Sequence, residues 1–377
     1  MRVDEFRLQA REWLEANAPR ESIDADLQAC RAWQAKVAAA GFAAIAWPKE
    51  FGGVGLTAEH DRAFNEEAAP YELPTEQFAI GFGTCGPALL DLATDEQKRR
   101  HLPPLVTGEH IWCQLFSEPG SGSDLAGART KAVHDGDHWV INGQKIWTSR
   151  AHFAQRGMLL ARTDPQAPKH AGLSMFVVDM QAPGVTVRPL RDMTGGSRFN
   201  EVFFDDLIVP DEDLITVPGG GWTVAFTMLK HERLAIGSVV KRADNPIGFE
   251  NLARIARRRG LLEDGAVRSA LTDYYLQERA LSLFGAALQV DIREGREVGA
   301  RGSVAKLATA SVATLGASLA ARIAGESMVG WQTGDDEAEA LVYAMNMTPA
   351  AGLVGGTTEI QRTLIGERVL GLPKENR

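Results

Sequence analysis

Residues 117–124 hold the densest group of side chains that could bind a ligand, in the sequence Ser-Glu-Pro-Gly-Ser-Gly-Ser-Asp. The glycines allow the backbone to approach a ligand closely, and the three serine hydroxyls can donate and accept hydrogen bonds. A second polar group, Trp147-Thr148-Ser149, ends the stretch that begins at Gln114. These residue types predict a loop that binds a polar ligand. A surface turn that leads into a hairpin is the alternative that the loop, taken alone, leaves open.

Other kinds of site are excluded by their spacing. Gly120 and Gly122 are not followed by the third glycine of a dinucleotide-binding loop, and no strand–helix–strand pattern surrounds them. His231-Glu232 does not continue into a His-Glu-x-x-His zinc motif, because Ala235 occupies the last place. The three cysteines, Cys30, Cys85 and Cys113, form no Cys-x-x-Cys pair. The sequence therefore predicts no metal site and no nicotinamide site.

Composition and charge describe an ordinary soluble chain of 377 residues, with 45% hydrophobic and 24% charged residues. The net charge of −9 argues against nucleic acid and membrane surfaces as partners. The densest basic run, Arg257 to Arg259, is typical of the solvated end of a helix. Few, unpaired cysteines indicate a reducing compartment. With no apolar leader and no uninterrupted membrane span apparent, the predicted location is the cytoplasm.

The elements that must position the loop follow from hydrophobic periodicity. Residues 1–112 show apolar residues at helical spacing, residues 113–218 alternate with period two, and residues 219–377 return to helical spacing. Asn142-Gly143 between apolar runs predicts a hairpin turn. We therefore predict an α+β protein: an N-terminal helical domain (1–112), a middle antiparallel β-barrel or sandwich (113–218) and a C-terminal helical bundle (219–377).

Five motifs, read in chain order, place this loop in a family context. They are Gly41-Phe42 with Trp47-Pro48 and Gly52-Gly53-x-Gly55; residues 116–124; residues 142–149; residues 200–210; and Gly-Gly-Thr-Thr-Glu-Ile-Gln-Arg at 355–362 with residues 367–373. Together they resemble the acyl-CoA dehydrogenase family over nearly the whole chain. The resemblance implies α,β-desaturation of an acyl-CoA thioester by bound FAD. A carboxylate removes the α-proton, and the β-hydrogen leaves as hydride to flavin N5.

The resemblance also assigns roles to residues. A backbone amide at Gly355 or Gly356 would stabilise the negative charge that develops on the thioester oxygen. Ser123 would also face the CoA part of the substrate. The residues implied to bind FAD are Gln114, Phe116, Ser117, Gly122, Ser123, Trp147, Thr148, Ser149, Thr357 and Glu359. For the serines and threonines the alternative is turn capping, and for Trp147 it is core packing.

The base requires a separate argument, because the family position that most often carries the catalytic glutamate is Gly355 here. Some members instead place this glutamate on the first long C-terminal helix, just before an arginine. That pattern predicts Glu232 as the base, with Arg233 organising the charges around it. A solvated Glu–Arg pair on a helix surface is the alternative.

The implied partners are an electron-transfer flavoprotein and further subunits. Many family members carry an Arg-x-x-Phe-Gly motif that contacts the FAD pyrophosphate of a neighbouring subunit, and residues 245–250 do not reproduce it, although Arg268 could replace the charge. Either a homotetramer or a mixed tetramer with a related chain is therefore expected. Two alternatives stay open: a non-catalytic partner subunit and a flavin oxidase.

Overall fold

The computed structural model describes residues 1–237 and 245–374, without the side chains of residues 233–237 and 293. The chain divides into two compact units. The first comprises Met1–Asp192 with Ser197–His231, and the second comprises Met193–Gly196 with Glu232–Arg377. The predicted order of helical, β and helical parts is confirmed, whereas the domain boundaries at residues 112 and 218 stay a prediction.

The N-terminal helices pack around aromatic side chains. Phe42 stacks on Phe64 with ring centroids 5.2 Å apart and meets Phe6 edge-on at 5.5 Å. Side-chain caps begin two of the helices, since Asp26 accepts hydrogen bonds from two backbone amides and Thr94 from one. The helices are α1 (Val3–Asn17), α2 (Leu27–Ala39), α3 (Ala58–Ala68), α4 (Gly86–Leu92) and α5 (Asp95–Val106).

Eight strands form one sheet in the order β6-β7-β3-β2-β4-β5-β8, and β1 pairs with β4 beside β2. The strands are β1 (Trp112–Leu115), β2 (Lys131–Asp135), β3 (His138–Ser149), β4 (Arg156–Arg162), β5 (Leu173–Asp179), β6 (Val185–Leu190), β7 (Phe199–Pro210) and β8 (Leu214–Ile215). The predicted middle β domain is confirmed, but it differs in two respects from a closed antiparallel barrel. Within the described ranges no pairing joins β6 to β8, so the sheet is open, and β4 pairs in parallel with β1 and with the start of β2.

The inner strands are buried on both faces, which explains why β4 and β5 are almost continuously apolar. Met158 and Leu160 pack in the cluster that includes α4, α5 and the segment 222–229, while Leu159 and Ala161 pack in the cluster formed by the sheet itself. Successive side chains of a strand point to opposite faces. One face of the sheet therefore packs on helices, and the other face packs on strands of the same sheet.

The predicted hairpin turn at Asn142-Gly143 is also wrong. The turn between β2 and β3 lies at Gly136, and β3 runs straight through residues 142 and 143. Asn142 exchanges two hydrogen bonds of 2.9 Å with Asp206 on β7, where the register shifts. A Cβ on Gly143 would lie 2.6 Å from the Thr130 hydroxyl. The Asn-Gly pair therefore lies at a β-bulge, where Gly143 closely approaches Thr130, and not in a turn.

Six helices follow β8 in the described ranges. They are α6 (Gly221–Gly237), α7 (Phe249–Arg258), α8 (Gly265–Arg293), α9 (Arg301–Ala324), α10 (Asp336–Ala351) and α11 (Thr358–Leu364). Four of them, α7, α8, α10 and α11, pack against α9. The segment Arg301–Met328 is by length and composition alone apolar enough to cross a membrane. In the fold it packs against α7, α8, α10 and α11 as the core helix of the second unit.

Candidate cofactor site and candidate base

The loop after β1 is held by internal hydrogen bonds, and it contains both buried and exposed serines. The backbones of Glu118 and Ser121 exchange two hydrogen bonds, of 2.8 and 3.0 Å. Ser121 is buried, and its hydroxyl donates to the Asp124 carbonyl at 2.5 Å, so it serves the loop itself. Gly122 and Ser123, which the sequence predicts to bind FAD, are exposed instead. The turn therefore presents these two residues outward.

A buried ion pair fixes this loop to β3. The Glu118 carboxylate accepts hydrogen bonds from Lys145 Nζ at 2.8 Å and from the backbone amides of Arg129 and Thr130 at 2.7 and 2.9 Å. Lys145 Nζ, which is fully buried, also donates to the Phe116 carbonyl at 3.0 Å. Lys145 therefore holds the start of the loop, and the Glu118 carboxylate connects it to residues 129 and 130 beyond the end of the loop.

Burial and pairing oppose each other in this ion pair. Burial alone would raise the pKa of Glu118, but the Lys145 charge and the hydrogen bonds outweigh it and the pKa is lowered. Burial lowers the pKa of Lys145 to about 8 although the Glu118 charge opposes this. The sequence did not identify Glu118 and Lys145 as an ion pair. The signal it offered was one charged residue in a glycine-rich stretch and another in an apolar stretch.

A β-bulge turns Trp147 out of the sheet. Lys145 pairs with Val202 and Thr148 with Asn200, so β3 holds one residue more than β7 over this interval. Trp147 has φ 60°, a left-handed conformation uncommon for a bulky residue, and 59% of it is exposed. The Ile146 amide donates to the Ser117 carbonyl at 2.9 Å. The bulge thus brings residues 145–149 beside the loop.

The residues around the bulge fit a flavin ring. Thr148 is 1% exposed, and its hydroxyl has no hydrogen-bond partner in the described chain. Buried hydroxyls normally have one. Beside it lies the exposed indole of Trp147, which offers a flat face for stacking. An isoalloxazine has both a flat face and edge acceptors for such a hydroxyl. Ser149 and Gln114 are half-buried on β3 and β1, and Phe116 is buried in the cluster that joins the sheet to the helices.

A pocket of about 320 Å³ is lined in part by Glu118 of the ion pair but by none of the residues predicted to bind FAD. Its lining is Glu118, Pro119, Gly120, Gly127, Arg129, Thr130, Gly143 and Gln144. The cavity therefore does not by itself locate the flavin.

The remaining predicted residues lie in the second unit. Glu232 is half-buried on α6, and the side chain of Arg233 lies outside the described residues. Gly355 and Gly356 form the turn between α10 and α11, with φ 66° and 93°. The Thr357 hydroxyl caps α11 by accepting from the Ile360 amide at 3.4 Å. The exposed Glu359 carboxylate accepts from the Thr358 hydroxyl at 2.9 Å.

Lys306 on α9 is the unexpected charge in this unit. It is 7% exposed, and its Nζ has no hydrogen-bond partner in the described chain. Burial lowers its pKa, and the nearby charges of Glu359 and Glu232 act in the opposite direction. Glu232 is therefore close enough for its charge to interact with the buried Lys306 ammonium. A lysine inside the apolar run of residues 304–329 is the signal that could have identified it.

The chain matches the acyl-CoA dehydrogenase N-terminal domain over residues 2–109, the middle domain over 113–207 and the C-terminal domain over 219–370. It is 38% identical over 387 residues to acyl-CoA dehydrogenase IpdE1 of Mycobacterium tuberculosis, which covers 99% of this chain and 98% of the relative. The chain belongs to the acyl-CoA dehydrogenase family. It is therefore an oxidoreductase of a family whose members are FAD flavoproteins.

Solved structures of similar chains agree with this family. The Tcur3481-Tcur3483 steroid ACAD superimposes with a TM-score of 0.84 at 27% identity, covering 99% of this chain and 98% of that one. The ChsE4-ChsE5 complex from Mycobacterium tuberculosis gives 0.79 at 29% identity, covering 99% and 98%. Acyl-CoA dehydrogenase from Geobacillus kaustophilus gives 0.77 at 25% identity, covering 98% of each chain.

Proposed function

We propose that this chain catalyses FAD-dependent α,β-dehydrogenation of an acyl-CoA thioester and that Glu232 removes the α-proton. The observation that carries the proposal is the charge arrangement of the second unit. Position 355 has no side chain, whereas the half-buried carboxylate of Glu232 lies within electrostatic reach of the buried Lys306. FAD, when bound, supplies the hydride acceptor.

Each residue has a defined task in this scheme. Glu232 must be ionised to accept the α-proton, and a nearby cation favours the ionised form. A backbone amide of Gly355 or Gly356 stabilises the charge that develops on the thioester oxygen. Thr148, with its unpartnered hydroxyl, and the exposed Trp147 hold the flavin ring with Ser117 and Ser149. Ser123, exposed at the loop turn, faces the CoA moiety.

Substitution of the base tests this mechanism directly. We expect Glu232→Gln to keep FAD bound, because the residue lies outside the Trp147 bulge, but to abolish bleaching of the flavin by acyl-CoA in anaerobic titrations. Glu250→Gln, an exposed carboxylate at the start of α7, is the matched control and should bleach normally. Normal bleaching of the Glu232→Gln protein would refute the assignment.

We further propose a ring-bearing, steroid-derived acyl group as the substrate. The support is the similarity to a complex described as a steroid ACAD. A panel of straight-chain, branched and steroid-side-chain acyl-CoAs, titrated anaerobically against flavin absorbance, tests this. Saturable bleaching by short straight-chain thioesters alone would contradict a steroid-derived substrate, but it would leave the proposed role of Glu232 intact.

A second candidate is that the chain forms half of the flavin sites in a mixed tetramer, as catalytic or non-catalytic partner of a related chain. Residues 245–250 lack the arginine motif. Arg268 Nη1 donates to two carbonyls of the turn that precedes α8, at 2.6 Å to Leu262 O and 3.0 Å to Glu263 O. Two similar structures are named as two-chain assemblies. A homotetramer with full FAD content from the chain alone would refute this candidate.

The electron acceptor in the proposal is an electron-transfer flavoprotein in the cytoplasm. A flavin oxidase is the alternative for the same fold. Turnover with oxygen alone, compared with turnover with a dye or the electron carrier, separates them. Efficient turnover with oxygen alone would favour the oxidase.

A further inference from the structure

Lys306 places a positive charge in the buried part of helix α9. The other two charged residues of this helix, Arg301 and Arg322, lie near its ends. Lys306 is 93% buried, given its exposure of 7%, and its Nζ has no hydrogen-bond partner in the described ranges. Burying a charge without a hydrogen-bonded partner costs free energy of folding. Packing of α9 therefore does not explain why this position carries a lysine.

Two carboxylates act on this ammonium. They are Glu359 in the first turn of α11 and Glu232 on α6. The helices α7, α8 and α10 also pack against α9, but within the described ranges they contribute no charged group to this set. The surroundings of Lys306 therefore hold one ammonium and two carboxylates, and the question is which carboxylate needs the cation.

Glu359 is stabilised in its ionised form by its own hydrogen bonds. Its pKa is lowered first by its own backbone amide and then by the hydroxyls of Thr358 and Thr357. Its side chain is also exposed, so water solvates the negative charge. Ionisation of Glu359 therefore does not require Lys306.

Glu232 is in a different position, because it is half-buried. The adjacent imidazole of His231 is bound to the Asp91 carboxylate on α4, with 2.7 Å between Nε2 and Oδ2. Burial disfavours the charged form of a carboxylate, and an opposite charge nearby favours it. Of the two carboxylates, Glu232 is the one whose charge depends on the buried ammonium.

We propose that Lys306 is a positioning residue that acts through Glu232, because its buried ammonium holds this carboxylate in the ionised form that accepts the α-proton. This inference rests on the function proposed above. The free energy that burial of Lys306 costs is retained because the charge is needed by the base. Strongly desolvated charged groups of this kind concentrate at functional sites.

The test is the pH dependence of flavin reduction in Lys306→Met, measured anaerobically with the acyl-CoA that bleaches the flavin best in the panel. The substitution nearly conserves the volume of the side chain and removes its charge. We expect the rate on the acid side of the profile to fall about tenfold, because the base is then protonated at a higher pH. The rate at high pH should stay close to that of wild type, because the base is ionised there without help.

Stability supplies a readout that does not depend on turnover. Lys306→Met removes a buried ammonium that has no hydrogen-bond partner in the described part of the chain. The FAD-free variant should therefore unfold at a higher urea concentration than FAD-free wild type. A variant that is more stable but slower on the acid side is the result that a packing role does not produce.

Three further variants complete the design. Lys306→Arg keeps the charge and should keep the acid side of the wild-type profile. Lys306→Gln removes the charge with a polar side chain, and it decides the question where Lys306→Met does not fold. Lys230→Met is the matched control, because Lys230 lies two residues before Glu232 on the same helix but is exposed, so water and salt screen its charge.

The outcomes separate this inference from the proposed function. An unchanged acid side in the neutral Lys306 variants would overturn the role of Lys306 and leave Glu232 as the base. An equal loss of rate at every pH would also overturn it, since general disturbance of the helix has that effect. So would an equal shift in Lys230→Met. Failure of the proposed function shows separately, as normal bleaching of the Glu232→Gln protein.

Discussion

Lys145→Met should loosen the predicted FAD loop by breaking its buried ion pair. The substitution conserves volume but leaves the Glu118 carboxylate, 8% exposed, with only the two backbone amides as partners. Removing one partner of a buried pair costs about 3–5 kcal/mol. Because the amides still bind the carboxylate, we expect the lower end, about 3 kcal/mol, which is a fall of roughly 6–12 °C in Tm for a unit of this size.

The assay is equilibrium urea unfolding of the single and double variants. Glu118→Gln alone should also destabilise the chain, since it removes the negative charge that offsets the buried Lys145 ammonium. The double variant should be more stable than the sum of the two single effects predicts by about 1.5 kcal/mol or more. FAD content should fall with the stability of the loop.

The matched control is Lys169→Met. Lys169 Nζ pairs with Asp124 on the same loop at 2.5 Å, but both side chains are more than half exposed. Exposed pairs contribute about 0–1 kcal/mol. Additivity of the Lys145 and Glu118 variants, or an equal effect of Lys169→Met, would refute the reasoning that burial makes the difference.

Two further predictions concern a hydroxyl and a pH dependence. Thr148→Val should raise the free energy of unfolding of FAD-free protein by about 1 kcal/mol, because it removes a buried unpartnered hydroxyl. The same substitution should weaken FAD binding about tenfold in fluorescence titrations. Unchanged FAD affinity would contradict the contact between Thr148 and the flavin. Glu67, held by Arg11 at 2.8 and 3.0 Å and by Arg7 at 3.1 Å, has its pKa lowered to about 2, chiefly by the Arg11 hydrogen bonds. The stabilisation is therefore present above the ordinary glutamate range and lost as pH falls toward 2. The Tm difference between wild type and Glu67→Gln should be constant near neutral pH and vanish toward pH 2, and a difference that persists there would refute the pairing.

The architecture was readable from the sequence because it depends on local periodicity. Helical spacing in residues 1–112 and after 219, with period-two alternation between them, follows from which face of each element is buried. Hydrophobic periodicity does not distinguish parallel from antiparallel strand pairing. The parallel pairing of β1 with β4 arises because the loop and a hairpin intervene before the chain returns, and alternation looks the same in either direction.

The candidate site also has features that the sequence indicated and features that only the tertiary structure decided. The residue types of 117–124 and 147–149, and the glycine at 355, were visible in the sequence and indicated a flavin site that needs a distant base. The bulge that exposes Trp147, the Glu118–Lys145 pair and the burial of Lys306 were decided by tertiary structure. Each depends on which groups are desolvated together, and spacing along the chain does not encode desolvation.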